Sequence, residues 1–130
     1  MVLIREYPGF LNEGQKGGNP VDKEHFSALA KELSDAFQPK GYLLTAAVSA
    51  GKGTIDVAYD VPALSKYLNF INLMAYDFHG GWEQETGANA PLHPKQGASG
   101  IDLEFTVEYA LNYWLKKGAD PKKIVNLFKF

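Results

Sequence analysis

The chain has 130 residues, 45% of them hydrophobic and 22% charged, and a formal net charge of -2. One domain's worth of chain or less, with that apolar content, allows a real core and excludes a disordered polyelectrolyte. No basic run interleaved with aromatics points to nucleic acid, no apolar segment is long enough to span a bilayer, and the absence of cysteine excludes disulfides and thiolate metal sites.

Val2 to Glu6 reads as a strand ended by Pro8 and Gly9, and Phe10 to Gly18 as a loop rich in glycine and polar residues. A helix is predicted next, with Asn19 as its cap, Pro20 at the first helical position and Asp22 in the first turn, where its charge meets the positive end of the helix dipole. Phe26, Leu29, Ala30, Leu33 and Phe37 recur at helical spacing and mark the face to be buried, and Pro39 and Gly41 stop the helix. Tyr42 to Ser49 is the next strand, almost without alternation, as where both faces are covered. Ala50 to Thr54 reads as a loop at its carboxyl end, and Asp60 as the cap of a short helix carrying Leu64, Tyr67 and Leu68.

The stretch FINLMAYDFHGGW, from Phe70 to Trp82, organises the rest. Its first half is an apolar run of strand length, and its second half turns polar at Tyr76, Asp77 and His79 before Gly80 and Gly81. In parallel α/β folds ligands sit at the carboxyl ends of strands, so a phenol, a carboxylate and an indole gathered there form a candidate site. Gly80 to Gly100 is a long loop, uncommon in a compact domain unless it has a function. A last helix is expected from near Asp102, with Leu103, Val107, Ala110, Leu111 and Trp114 on its buried side, Lys116 and Lys117 in its final turn, and Gly118 closing it. Ile124 and Val125 begin one more strand. Strand and helix thus alternate along the chain, as in an α/β barrel or a doubly wound sheet. The histidines His25, His79 and His93 have no compact ligand spacing, so no metal is expected, and the aromatic stripe with Tyr113 and Trp114 reads as core rather than a cofactor box.

LSKYLNFINLMAYDFHGGW, with LLTAAVSAGKGTID, TGANAPL and LNYWLKKGADPKKIV, resembles the central part of an animal chitinase of glycoside hydrolase family 18, from about Glu6 to Val125. The resemblance implies an α/β fold, a partial TIM (β/α)8 barrel holding about the fourth to seventh strands with their helices, so that residues 1–130 are a piece of one catalytic domain. It implies chitin or chito-oligosaccharide as partner, no cofactor, and an extracellular location, although no signal peptide is evident in the first residues. In that family the reaction is substrate-assisted: an acid protonates the leaving oxygen, and the substrate's own N-acetyl carbonyl attacks the anomeric carbon.

By resemblance the acid is Glu6, which ends the family's DxxDxDxE strand and is followed by Tyr7 and Pro8. Tyr7 lines the sugar site, Tyr76 donates to the acetamido carbonyl, Asp77 hydrogen-bonds the sugar, Met74 and Ala75 complete the floor, and Trp82 offers a ring face for stacking. The acidic position two before the Glu falls on Ile4, and the next upstream on Val2. An isoleucine cannot orient the acetamide or relay a proton, so activity is expected to fall by orders of magnitude. Together with the departure NLFKF at the other end, this favours a partial sequence, with open sheet edges through which the chain self-associates. Three readings follow: an incomplete chitin-hydrolysing glycosidase, a chitinase-like lectin or growth-factor-like protein that binds without cleaving, and a piece with no activity of its own.

Overall fold

A computed structural model describes residues 1–9 and 19–127, so the loop expected over Phe10 to Gly18 lies outside the described residues, as do Phe128, Lys129 and Phe130. Strands β1 (Val2–Ile4), β2 (Thr45–Ser49), β3 (Phe70–Met74) and β4 (Ile124–Asn126) form one sheet in that spatial order. All three pairings are parallel. Consecutive strands that stay neighbours in one direction form the arc of a barrel, whereas a doubly wound sheet reverses its order at a switch point.

Helices α1 (Asp22–Phe37), α2 (Lys52–Ala58), α3 (Val61–Tyr67) and α4 (Val107–Lys116) connect the strands. Because paired residues of a sheet face the same side, Ala46 and Val48 share a face with Ile71 and Leu73. All four are fully buried, in one cluster with Phe26 and Ala30 of α1, Ile55 and Ala58 of α2, Leu64 of α3 and Ala110 and Trp114 of α4. The opposite face carries Val2, Ile4, Phe70 and Val125, all exposed, with Ile4 at 68%.

Several element boundaries differ from the sequence reading, each for a local reason. The first helix begins at Asp22 rather than Pro20, and Asn19 does not cap it. The Asn19 side chain instead accepts from the Val21 N–H at 3.2 Å, an Asx-type turn that competes with helix at this position. Leu29 stays 45% exposed on the otherwise buried face of α1. Strand β2 begins at Thr45, because Tyr42 and Leu43 are exposed approach residues. The loop read over Ala50 to Thr54 is instead the start of α2, whose glycines hid a helix that buries Ile55 and Ala58. The last helix starts after Thr106, whose side chain accepts from the Tyr109 N–H, while Asp102 and Leu103 lie in a preceding 3-10 turn and Leu103 is exposed.

Other signals hold. Asp60 caps α3, accepting from the Ala63 N–H at 3.0 Å. Gly41 and Gly118 adopt the left-handed conformation expected of residues that end helices. Lys123 reaches back to donate to the Ser65 and Leu68 carbonyls at the end of α3, at 2.6 and 2.9 Å, where a cation meets the negative end of the helix. Among the described residues no helix is long and apolar enough to cross a membrane.

Among the described residues β1 and β4 are the two edges of the sheet, and the face they bound is apolar and exposed. Such a surface is a template for pairing with another chain. The chain is expected to gain mass with concentration in light scattering, and Val2→Lys, which places a charge on the edge strand, to shift it toward monomer. A sharply melting, concentration-independent wild-type monomer would contradict this.

Candidate active site

The strand pairings fix which side chains meet at the carboxyl rim. Ile4 pairs with Ala47, and Ser49 pairs with Met74. Glu6 follows β1 two residues beyond Ile4 and lines the same cavity as Ser49 and Met74. Tyr76 and Asp77 follow β3 as it leaves the sheet. These ends enclose a cavity of about 520 Å³ lined by Glu6, Tyr7, Met74, Tyr76, Asp77 and Trp82. Ala75 does not line it; the alternation turns Ala75 to the helix side, where it is buried in the core.

The cavity has further walls. Ser49, Ala50 and Gly51 supply its base from the end of β2, and Phe78 and Phe105 close one side, their rings stacked at 6.1 Å. Phe105 precedes α4, in the turn that the sequence reading had absorbed into the helix. Ser49 reads as one more small residue in an apolar strand, and only its place at the strand's carboxyl end marks it for the site.

Ser49 is 7% exposed and holds this corner together. Its N–H donates to the Tyr59 hydroxyl at 3.2 Å, its carbonyl accepts from the Trp114 indole at 3.0 Å, and its Oγ accepts from the Gly51 N–H at 3.2 Å. Tyr59 and Trp114 pack with ring centroids 5.4 Å apart. Burial pushes the Tyr59 phenol far above the ordinary tyrosine value. Burial also raises Tyr7, with the nearby Glu6 carboxylate adding to the rise and a hydrogen bond to the Ser49 side chain opposing it. Tyr7 therefore couples electrostatically to Glu6 and also to Tyr76, within the one cavity.

Asp77 has φ 54, the left-handed region that a non-glycine residue rarely adopts and that Asp and Asn tolerate best. Asn89, from the TGANAPL stretch, donates its side-chain amide to Asp77 Oδ1 at 2.7 Å and accepts the Phe78 N–H on its carbonyl at 3.0 Å. His79 and His93 pair with different carboxylates, Glu83 at 3.0 Å and Glu108 at 2.9 Å. The rim can thus present a carboxylic acid, two phenols, a fixed carboxylate and an open indole to a polar ligand with apolar faces.

The model of the glycosyl hydrolases family 18 matches residues 6–130. The chain is 44% identical over 123 residues to a probable chitinase 10 of Drosophila melanogaster, covering 92% of this chain and 5% of that protein. Among solved structures it is similar to catalytic domain 2 of the Group II chitinase of Ostrinia furnacalis, as a mutant in complex with penta-N-acetylchitooctaose. That match has a TM-score of 0.87 and 46% identity, and it covers 96% of this chain and 32% of that one. It is also similar to human YKL-39, described as a pseudo-chitinase with retained chitooligosaccharide binding properties, with a TM-score of 0.76, 42% identity, and coverage of 82% and 32%. The chain spans between 5% and 30% of the length of the curated relatives it matches. Its four strands are accordingly an arc of a TIM barrel.

The Ser49 corner yields a stability test. Tyr59→Phe leaves the buried Ser49 N–H without its acceptor and is expected to cost about 1–3 kcal/mol in denaturant unfolding. The folded state also retains phenol protons that the unfolded chain releases. Stability is therefore full below the unfolded tyrosine pKa of about 10 and is lost as pH rises through the higher folded value. That alkaline loss should be shallower in Tyr59→Phe.

Proposed function

Because the chain belongs to glycosyl hydrolase family 18, we propose that residues 1–130 carry the acid-bearing wall of a cleft that binds and hydrolyses β-1,4-linked N-acetylglucosamine polymers. The observation that supports this best is the convergence of Glu6, Tyr76, Asp77 and Trp82 on one cavity at the carboxyl ends of neighbouring parallel strands. In this reading the 1–130 segment is part of a single catalytic domain, and chitin or a chito-oligosaccharide is its partner. An extracellular location belongs to the same proposal.

The chemistry follows from the positions. Glu6 protonates the leaving glycosidic oxygen while the substrate's N-acetyl carbonyl oxygen attacks the anomeric carbon, so the C–O bond breaks as an internal C–O bond forms. Tyr76 donates its hydroxyl to that acetamido group, and Asp77, held by Asn89, accepts from the sugar. Tyr7 and Met74 shape the floor. Trp82 stacks on a neighbouring pyranose, whose C–H bonds present an apolar face to the indole. Water then opens the cyclic intermediate, with Glu6 as the base that receives its proton.

Ile4 supports a second reading in which the cleft binds without cleaving. It ends β1 two residues before Glu6 and is 68% exposed. An alkyl group there gives neither a hydrogen bond to the acetamide nor a negative charge beside the developing cation.

Turnover of a fluorogenic chitobioside separates the two. The wild-type chain is expected to hydrolyse it slowly, Glu6→Gln to abolish hydrolysis while retaining chitotetraose binding, and Ile4→Asp to raise the rate by about 100-fold or more. Binding with no hydrolysis in either the wild type or Ile4→Asp would favour the lectin reading. No chitotetraose binding by any of them would remove both.

A further inference from the structure

Trp82 is 69% exposed, yet its ring has a defined seat. A Cβ built on Gly80 would stand 2.4 Å from Cη2 and Cζ3 of the Trp82 indole and 2.9 Å from its Cε3, far inside contact distance. The benzene edge of the indole therefore rests directly against the Gly80 backbone. Gly80 has no left-handed backbone to explain its identity, since its φ is not among the positive ones. The neighbouring Gly81 offers a built-in comparison, because a Cβ there would meet nothing within 4 Å.

The turn around this seat is braced. Glu83 donates its N–H to the Gly80 carbonyl at 3.1 Å, and its carboxylate accepts from the Gly80 N–H at 3.3 Å and pairs with His79 Nδ1 at 3.0 Å. The His79 ring in turn lies against Gly87, where a Cβ would come within 2.4 Å of Cγ. Two missing side chains thus let two rings pack on backbone, one at each end of a hairpin-like turn.

We propose that Gly80 is a positioning residue: its bare backbone is the seat that fixes the plane of the Trp82 ring as a platform for an amino-sugar unit. The proposal rests on the reading of the cavity as a saccharide site. A methyl group at position 80 would stand far inside contact distance of the indole, so the ring has to tilt from its seat. Ring tilt matters because stacking on a pyranose depends on a face-parallel approach, and an edge-on ring loses most of the contact area.

The test uses the 130-residue chain, its Gly80→Ala, Gly81→Ala and Trp82→Ala variants, and the Gly80→Ala/Trp82→Ala pair. The chain has two tryptophans and Trp114 is fully buried, so acrylamide quenching of tryptophan fluorescence reports Trp82. Gly80→Ala is expected to change that quenching and to weaken chitotetraose about threefold to tenfold by calorimetry, with the circular dichroism of wild type. Gly81→Ala is expected to leave both unchanged, and Gly80→Ala to cost nothing further in the Trp82→Ala background. Equal behaviour of the two alanine variants would overturn the proposal, as would a quenching change with no loss of affinity. If the wild type binds no chitotetraose, the saccharide reading fails and the platform role fails with it; the seat itself is then judged by quenching alone.

Discussion

The Ser49 peptide, gripped from both sides, is the contact on which the rest of the molecule depends. Tyr59 reaches it from the junction between α2 and α3, and Trp114, 65 residues beyond Ser49 along the chain, from the last turn of α4. Both rings are essentially inaccessible to solvent, and both spend their single polar atom on this one backbone unit. Buried peptide groups need partners, and at the end of a strand the ladder no longer supplies them. Two aromatic side chains supply them here, so the same atoms that fill the core also fix the level at which β2 stops. That level is the floor of the cavity. Truncating a buried aromatic of this size typically costs about 3–5 kcal/mol, and here the loss would fall on the base of the site as well as on the core.

From that fixed level the parallel register does the remaining positioning. Side chains alternate along each strand and paired residues share a face, so Val2 and Ile4 run beside Thr45 and Ala47, and Thr45, Ala47 and Ser49 beside Phe70, Asn72 and Met74. Asn72 donates to the Thr45 hydroxyl at 3.2 Å, a polar tie in a face that is otherwise apolar or small. Functional character rises toward the carboxyl rim. Apart from Thr45 and Asn72 the lower positions are alkyl or aromatic, and the rim carries the carboxylate, phenols and indole. Ile4 is exposed and keeps its pairing with Ala47, so the side chain on this rung can vary without disturbing the register.

The alternation of strand and helix, the Asp60 cap, the Gly118 stop and the strand that leads to Tyr76 were legible because they rest on local rules. Asp60 caps in its own turn, Gly118 ends a helix in its own residue, and FINLM is apolar at strand length whatever surrounds it. Helix α2 was not legible, since KGTIDVA is a single short element whose glycine, with Gly51 just before it, speaks for a loop and whose burial of Ile55 and Ala58 is decided by tertiary packing. The last helix was read from near Asp102, whereas it starts after Thr106, whose side chain accepts from the Tyr109 N–H at 3.1 Å. Ser49 was invisible for a different reason. A small hydroxyl in an apolar run looks like filler, and its partners Tyr59, Trp114 and Tyr7 come from three other parts of the chain.

The long connection after β3 shows how such distant ties build a site. Its backbone is fastened at two places: at Asn89, which receives Phe78 and donates to Asp77, and at Pro91 and Leu92, whose carbonyls accept the N–H groups of Val107 and Glu108 at 2.9 and 3.2 Å. The first N–H groups of a helix have no partner within it, so the loop satisfies donors that α4 would otherwise leave open. The Asn89 contact holds Asp77 in a conformation that costs energy in isolation and persists only where its surroundings over-determine it. A short connection could satisfy either end but could not reach from the exit of β3 out to Trp82 and back to the start of α4. One short stretch of the loop, Asn89 to Leu92, thus ties the exit of β3 and the geometry of Asp77 to the start of α4.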